Sequence, residues 1–341
     1  MSKQLIPFLG RMAPWIWLNK VWRPLALGGL VMLAGGNATA APPWPQGPVR
    51  VLVPAPPGGV SDMTARLLAE RLGTMFKQPF VVENMAGASG TIAARALMKS
   101  APDGSVLMVG PNGIVTEVPH VMTLPFDPLK EMLQVAKLSH SPMVLVGTAS
   151  LPATTLDELV QYAKANPGKL GIASYSPGTR SQYAGILFNA KAGLDLLQVP
   201  YKGSPPVITD LIAGHMALAF DVVPNMLPYI RAGKMKAFAL AAGSRSPLLP
   251  EVPTFAERGF PDLQFSGWMS LWVTGRTSEV LAGQIHEAVW RAWNTPAVRE
   301  RLLAAGFDPV ADKTLAQQRD ELKAQSSFNQ GIVQRVGIKL E

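Results

Sequence analysis

The sequence predicts an α/β protein with mainly parallel sheets, and three observations lead to this fold class. Short apolar runs of strand length alternate repeatedly with longer segments in which apolar residues recur at helical spacing. The 341 residues are 48% hydrophobic and 16% charged, so the chain can bury a large core. A chain of this length corresponds to about two domains. Finally, two glycine-rich loops each lie between a predicted strand and a predicted helix.

The first forty residues have the pattern of an export signal. Arg23 precedes an apolar stretch at 24–36. The small residues Ala38 and Ala40 follow it and match the recognition site of a signal peptidase. The stretch is shorter than the about 20 residues that a membrane-spanning helix needs. We therefore expect residues 1–40 to be a signal peptide that is cleaved after Ala40 and a periplasmic mature chain. An uncleaved anchor is the alternative.

Composition excludes several classes of function. Removal of the four basic residues of the first forty lowers the formal net charge of +8 to +4, and no five consecutive residues are basic. We therefore expect no nucleic-acid partner. The chain has no cysteine, which excludes disulfides, thiol catalysis and a lipid-anchored cysteine. Its four histidines are far apart in sequence, so we predict neither a metal site nor a cofactor.

The first glycine-rich loop follows a predicted strand at 49–53 and precedes a predicted helix at 61–76. A helix that begins behind glycines leaves its first N–H groups free and exposes the positive end of its dipole. This geometry binds an anion without a charged side chain. The candidate ligand-binding residues in this loop are Gly58, Gly59, Val60 and Ser61. Asp62 is interpreted as a partner of the helix dipole rather than a ligand-binding group.

The second loop repeats this arrangement after a predicted strand at 80–82 and before a predicted helix at 91–100. Its candidate ligand-binding residues are Ala86, Gly87, Ala88 and Ser89. A tight turn alone would explain one such loop, but it does not explain the repetition. The pair of loops therefore predicts a cleft for a small anionic ligand.

The remaining elements follow in order along the chain. Predicted strands lie at 106–109, 133–138, 143–147, 170–174, 196–200, 216–220, 235–242 and 265–273. Helices are predicted at 181–192, 278–293, 297–305 and 315–330. A capping box at Thr155 and Glu158 begins a further helix that ends near Asn166, and a short helix ends at Gly214.

Seven segments of the chain resemble the periplasmic solute-binding proteins of tripartite tricarboxylate transporters, the Bug receptors. They include the PPGG-x-x-D-x-x-AR segment at 56–66, VVEN-x-x-GA-x-G at 81–90, LVQYAKANPGKL at 159–170, VPYKGS at 199–204 and LPEVPTFAERGFP at 249–261. PDG at 102–104 and TDLIAGH at 209–215 also match. The segments lie in the family's order through nearly all of the mature chain.

The resemblance implies a type II periplasmic-binding-protein fold, in which two α/β lobes are joined by a two-crossover hinge. We expect the chain to cross between lobes near 147–151 and near 264–269. Lobe 1 would then comprise 41–148 and 269–341, and lobe 2 would comprise 149–268. Two crossings allow the lobes to rotate about a hinge and close over a ligand.

The resemblance also implies a function. The chain would be a monomer and not an enzyme, and it would capture a small organic acid or amino acid for membrane transporter subunits. A periplasmic protein that docks on the ectodomain of a membrane sensor kinase is an alternative, because it would have the same cleft. A serine hydrolase is a weaker alternative, suggested by the Ser174–Gly178 segment together with Asp221 and His286.

In lobe 2 the resemblance places the ligand at the loop after the 170–174 strand and near Tyr201 and Asp221. The candidates there are Ser174, Ser176, Gly178, Thr179, Arg180, Tyr201 and Asp221, and Asn112 is added from lobe 1. Asp221 could bind an amine or a ligand-bound water, or it could cap a helix or turn. Tyr201 could line the cleft or only cover lobe 2.

Two segments depart from the family pattern. Gln182 and Ile186 stand where relatives commonly have histidine and glutamate, and 113–117 lacks the expected residues. Arg180 stands where a small or neutral residue is usual, so we expect it to select ligands with a second acidic group, or else to be a solvated loop arginine.

The signal peptide gives the first testable prediction. The mature protein recovered from the periplasm should begin at Ala41, because Ala38 and Ala40 satisfy the signal peptidase. Intact-mass spectrometry measures this directly. A mature species that still contains Trp22 would contradict cleavage and support the anchor.

Overall fold

Ten strands form two five-stranded sheets in the computed structural model, which describes residues 43–265, 267–308 and 310–336. The strands are β1 (Val49–Val53), β2 (Phe80–Asn84), β3 (Val106–Pro111), β4 (Met132–His140), β5 (Met143–Thr148), β6 (Gly171–Ser174), β7 (Leu197–Pro200), β8 (Leu218–Val222), β9 (Met235–Ala241) and β10 (Trp268–Thr274). The first sheet has the order β2-β1-β3-β10-β4, and the second has the order β7-β6-β8-β5-β9. The predicted signal peptide lies outside the described residues.

Eleven α-helices among the described residues connect and cover these strands. They are α1 (Val60–Phe76), α2 (Thr91–Lys99), α3 (Gly113–Thr116), α4 (Pro128–Glu131), α5 (Leu156–Ala165), α6 (Arg180–Ala192), α7 (Ser204–Ala213), α8 (Val223–Arg231), α9 (Glu279–Trp293), α10 (Pro296–Ala304) and α11 (Leu315–Val336). Within the part of the chain that the structure describes, none of them is both long and apolar enough to cross a membrane.

The two sheets have the same design, and this confirms the predicted fold class. β10 in the first sheet and β5 in the second are antiparallel to both of their neighbours, while the other pairings in each sheet are parallel. The carboxyl ends of the parallel strands therefore lie on one edge of each sheet. In sheets of this kind that edge is where ligands bind.

Two short crossovers join the sheets. The chain passes from β4 to β5 through residues 141–142, and it returns from the second sheet to β10 after Phe265, whose N–H still donates to Ala241 O at 3.2 Å. The crossovers touch each other, because Ser141 N–H donates to Gly267 O at 3.1 Å. Such paired connections suit a hinge.

The first crossover differs from our expectation. We expected it near 147–151 and therefore placed β5 in lobe 1, but β5 pairs with β8 and β9 in the second sheet. The reason is that β4 and β5 are separated by only two residues, so the passage between the sheets is too short to stand out as a linker. We now propose that lobe 2 begins at Met143, while the domain boundaries themselves remain a prediction.

Helix signals in the sequence are realised locally. The Thr155 side chain accepts from Glu158 N–H at 3.2 Å, and Glu158 Oε2 accepts from Thr155 N–H at 3.3 Å, so the predicted capping box is present. Helix α1 begins at Val60, one residue before the predicted start, and ends at Phe76 as predicted.

An aromatic cluster fills the core beside the second sheet. Phe188, Phe220, Phe255 and Phe260 contact one another, with ring centroids between 5.5 and 6.2 Å apart. Phe255 is 0% exposed and contacts the other three. The cluster joins α6, β8 and the segment after β9. It therefore holds α6, the helix that follows the loop after β6, against the second sheet.

We expect Phe255→Ala to lower the free energy of unfolding by about 3–5 kcal/mol, because it leaves a cavity in a packed core. Phe328→Ala is the matched control, since Phe328 in α11 is 50% exposed and should change stability by less than about 0.5 kcal/mol. Urea denaturation followed by circular dichroism measures both. Equal losses in the two variants would contradict this description of the core.

Candidate functional site

A cavity of about 330 Å³ lies between the loops that follow the parallel strands of the two sheets. Its volume is within the range of small-molecule sites. The first sheet contributes the loops after β1, β2 and β3, and the second contributes the loops after β6, β7 and β8. The lining is mostly apolar, and its charged members are Glu117, Lys202, Arg180 and Asp221.

Asp62 organises the loop before α1 from beneath. It is buried, and its Oδ2 accepts from Gly58 N–H at 2.9 Å and from Arg66 Nε at 3.0 Å. Asn84 Nδ2 donates to Asp62 Oδ1 at 3.0 Å. Burial alone would raise the pKa of Asp62, but these donors hold it below its ordinary value. Asp62 thus supports the loop, and it is absent from the cavity lining.

The loop before α2 has a left-handed backbone over three consecutive residues. The φ angles are 44° at Ala88, 54° at Ser89 and 89° at Gly90. For a residue with a Cβ this conformation costs roughly 1–2 kcal/mol. Strained backbone of this kind is concentrated at ligand-binding sites. Ala88, Ser89 and Gly90 all line the cavity, in agreement with a functional role for the loop.

The second-lobe loop is held by its own side chains. Gly178 N–H donates to Gln182 Oε1 at 2.8 Å, and Thr179 Oγ1 donates to Ser176 O at 2.7 Å. Because Thr179 turns its hydroxyl to Ser176, it does not cap α6, although it occupies the N-cap position. The N-terminus of α6 therefore needs another partner.

Glu117 supplies that partner from the other lobe. Its Oε2 accepts from Arg180 N–H, the first of α6, at 2.7 Å. Its backbone oxygen accepts from Tyr183 Oη at 2.9 Å. Glu117 is 2% exposed, and burial raises its pKa although Arg180 opposes the shift. A carboxylate from lobe 1 thus occupies the anion-binding end of a lobe 2 helix.

Asn225 makes the reciprocal contact. Its Oδ1 accepts from Val60 N–H at the start of α1 at 3.2 Å, and its Nδ2 donates to Ser204 Oγ and Asp221 Oδ1, both at 2.8 Å. A third contact between the lobes runs from Ser89 Oγ to Pro177 O at 2.7 Å. Each lobe therefore supplies a side chain that caps a helix of the other lobe: Glu117 caps α6, and Asn225 caps α1.

Arg180 is not a solvated loop residue. It is 2% exposed, and its Nη1 lies 3.8 Å from Glu117 Oε1. Its Nε and Nη1 make no hydrogen bond within the part of the chain that the structure describes. Arg180 lines the cavity, so a role in ligand selection remains a prediction, but an internal carboxylate already faces it.

Asp221, the penultimate residue of β8, is 0% exposed and lines the cavity. Its Oδ1 accepts from Val222 N–H at 2.7 Å and from Asn225 Nδ2. Its Oδ2 has no partner of hydrogen-bonding geometry among the described residues. Burial raises the pKa of Asp221 to about 6, against the opposing effects of Ser204, Asn225, Val222 N–H and Arg180.

The structure brings twelve of the sixteen predicted ligand-binding residues into the cavity lining. They are Gly59, Val60, Ser61, Ala86, Gly87, Ala88, Ser89, Ser176, Thr179, Arg180, Tyr201 and Asp221. Gly58 and Gly178 shape their loops through Asp62 and Gln182 instead. Ser174 lies within the β6 ladder, and Tyr201 donates its hydroxyl to Asp210 Oδ2 at 2.5 Å.

Asn112 lies outside the lining and has a structural role. It is 0% exposed, its Oδ1 accepts from Trp268 N–H at 3.1 Å, and its Nδ2 donates to Thr116 Oγ1 at 3.3 Å. Glu117 and Asn225 were not predicted from the sequence as site residues. A signal for Glu117 existed, because an acidic residue in the apolar segment 113–118 needs a partner when it is buried.

The residues of the alternative catalytic triad are not assembled. Ser176 Oγ donates to Ser89 Oγ at 3.3 Å. His286 lies in α9, where its Nδ1 is 2.7 Å from Val135 O and its Nε2 is 3.2 Å from Asp312 Oδ1. A serine nucleophile requires its histidine within hydrogen-bonding reach, and this histidine faces other groups.

Comparison with known proteins identifies the relatives of the chain. A family model described as the tripartite tricarboxylate transporter family receptor matches residues 64–338. Protein BugT of Bordetella pertussis (strain Tohama I) is 32% identical over 326 residues, which are 94% of this chain and 99% of BugT.

Solved structures agree with the sequence relatives. The periplasmic binding protein BugD is 27% identical and has a TM-score of 0.83, with 87% of this chain and 100% of BugD covered. MatC from Rhodopseudomonas palustris, solved with bound malate, is 31% identical and has a TM-score of 0.80. That match covers 85% of this chain and 99% of MatC.

The glycine loop before α1 gives a prediction about ligand binding. We expect Gly59→Val to lower the affinity for a carboxylate at least tenfold, because a side chain would block approach to the free N–H groups of α1. The fold should be retained, since a Cβ at Gly59 meets its nearest neighbour, Pro56 O, at an ordinary 3.8 Å and φ is −81°.

Gly47→Val is the control, because a Cβ there has no heavy atom within 4 Å and Gly47 is absent from the cavity lining. Calorimetry with the carboxylate that most stabilises the wild-type chain measures both affinities. Unchanged affinity in a folded Gly59→Val variant would remove this loop from the site.

Proposed function

Because this chain belongs to the tripartite tricarboxylate transporter receptor family, we propose that it is a periplasmic solute-binding protein for a small carboxylate ligand. The cavity of about 330 Å³ between the two lobes carries this proposal. The signal sequence predicted at 1–40 delivers the chain to the periplasm. There it works as a monomer and passes its ligand, chemically unchanged, to the membrane subunits of a tripartite tricarboxylate-type transporter.

The glycine loops before α1 and α2 hold the ligand carboxylate. The N–H groups of a helix's first turn lack intrahelical acceptors, and the helix dipole adds favourable positive potential. In α1, Val60 N–H is taken by Asn225, so the carboxylate is served by the N–H of Ser61 and by the loop at Ala86–Ser89. Ordered water can bridge the longer distances at modest entropic cost.

Ligand capture is coupled to closure of the lobes. The contacts between lobes that Glu117, Asn225 and Ser89 make form only when the loops of both lobes meet. Rotation about the crossover at 141–142 and the crossover that follows Phe265 would break them without disturbing either sheet. A ligand drives closure to the extent that it binds the closed form more tightly.

A thermal-shift screen of the chain beginning at Ala41, against a library of organic acids and amino acids, tests the proposed function. A true ligand raises the apparent stability by about 2.7 kcal/mol at a hundredfold excess over its dissociation constant. Small-angle scattering with that ligand should show a smaller radius of gyration, and mass spectrometry should recover the ligand unchanged. A library without a single stabilising member, or a converted ligand, would contradict the proposal.

A further inference from the structure

Three buried side chains with opposite charges surround the cavity between the lobes. Glu117, Arg180 and Asp221 are exposed by 2%, 2% and 0% respectively. All three line the cavity. Because a buried charge is destabilising unless it is paired, their pairing restricts which ligand charges the cavity accepts.

Two glycines, Gly113 and Gly267, leave the space in which the Glu117 carboxylate and the Arg180 guanidinium lie. A Cβ at Gly113 would lie 2.5 Å from Glu117 Oε2, and a Cβ at Gly267 would lie 0.8 Å from Arg180 Nη1. The carboxylate and the guanidinium each occupy space that the Cβ of a residue other than glycine would fill at position 113 or 267. Together with the bond from Arg180 N–H to Glu117, this space makes the pair a built feature of the closed form.

This pair places a carboxylate of the protein where a second ligand carboxylate would otherwise bind. The N-terminus of α6 and the Arg180 guanidinium are the buried anion-attracting groups of lobe 2 in the cavity lining, while Lys202, which also lines the cavity, is exposed. Glu117 already accepts from the first and faces the second at 3.8 Å. A second acidic group of a ligand would have to displace Glu117 or lie beside it.

Asp221 is the second buried carboxylate of the cavity, and the Arg180 charge that acts on it is already faced by Glu117 at 3.8 Å. Its Oδ1 is satisfied by Val222 N–H and Asn225, whereas its Oδ2 has no hydrogen bond of good geometry to any residue that the structure describes. The nearby Ser204 hydroxyl lowers the pKa of Asp221, but a neutral hydroxyl does not balance a buried negative charge. A cationic donor in the cavity would satisfy Oδ2.

We propose that this cavity selects a zwitterionic monocarboxylate, an amino-acid-like ligand whose ammonium group binds Asp221 Oδ2 while Glu117 takes the place of a second ligand carboxylate. This inference rests on the proposed function and specifies its substrate class. The ligand carboxylate binds at the loops before α1 and α2, and the ammonium group faces β8. Glu117 is the specificity-determining residue that excludes dicarboxylates.

The proposal opposes our sequence-based expectation that Arg180 selects dicarboxylates, so matched ligands can decide between them. Each set contains an amino acid, the same acid without its amine, and the diacid of equal chain length. Examples are 5-aminovalerate, valerate and glutarate, and L-norvaline serves as the α-amino member. Sets of three to six carbons, and phenylalanine with 3-phenylpropanoate, extend the range of sizes.

Calorimetry with the mature wild-type chain should show that the amino member of at least one set binds at least tenfold more tightly than both counterparts. Asp221→Asn should lower that affinity at least tenfold and leave the affinity for the amine-free acid nearly unchanged. Glu117→Gln should raise the affinity for the diacid. Glu251→Gln, at an exposed acid outside the cavity lining, is the control and should change nothing.

The pH dependence supplies a second readout that does not depend on a variant's stability. An ammonium group needs the ionised form of Asp221, so wild-type affinity for the amino ligand should rise as the pH increases through about 6. The other charged or titratable groups that line this cavity are Glu117, Tyr175, Arg180, Tyr201 and Lys202. A folded Asp221→Asn variant should lose most of this pH dependence of affinity. The other acid of the cavity, Glu117, faces Arg180 and not the ligand's ammonium group.

Each outcome separates this inference from the proposed function. Tighter binding of a diacid, or an equal loss of both monoacids in Asp221→Asn, would overturn the inference and leave a carboxylate receptor. If no amino member of any set binds while another acid of the wider library does, this inference fails and the proposed function stands; if no acid of the library binds, both fail. If Asp221→Asn does not fold, the wild-type ligand ranking and its pH dependence still decide.

Discussion

The closed arrangement of this protein depends on one buried carboxylate that belongs to one lobe and is used by the other. Glu117 follows α3 in the first lobe, and it accepts the N–H group that begins α6 in the second. Moving a carboxylate out of water costs several kcal/mol, and only good partners offset that cost. Glu117 finds them in a helix N-terminus and a guanidinium, neither of which its own lobe provides. The lobes therefore satisfy each other's polar groups.

This reciprocity affects how a ligand can act. Asn225 caps α1 from the opposite lobe in the same way, so closure replaces water at two helix ends with protein side chains. Contacts made by the protein alone stabilise the closed form to the same extent for every ligand. Discrimination must then come from groups that these contacts leave unsatisfied, because only differential binding shifts an equilibrium between forms. Asp221 Oδ2, which has no hydrogen-bond partner among the described residues, is the group that we propose for this role.

The sequence predicted local features much better than long-range ones. The helical spacing of apolar residues located α1, and the Thr155–Glu158 pair located the start of α5, since both signals lie within a few residues of one another. The assignment of β5 to a sheet depended on partners about eighty residues away, and no local pattern encodes that choice. The glycine loops were found because their chemistry is carried by consecutive backbone groups.

The roles of Arg180 and Glu117 illustrate why the rest of the site was out of reach. Sequence analysis recorded unexpected residues at 113–117 and an unexpected arginine at 180, but it treated the two departures separately. In the structure the two departures form one pair, because Arg180 Nη1 lies 3.8 Å from Glu117 Oε1 although the residues are 63 positions apart in the chain. A buried charge seldom stands alone. Two unexpected charges of opposite sign in segments that border the same cleft therefore predict each other. Asp221 differs, because its Oδ2 has no hydrogen-bond partner among the described residues, and under our proposal the ligand supplies that partner.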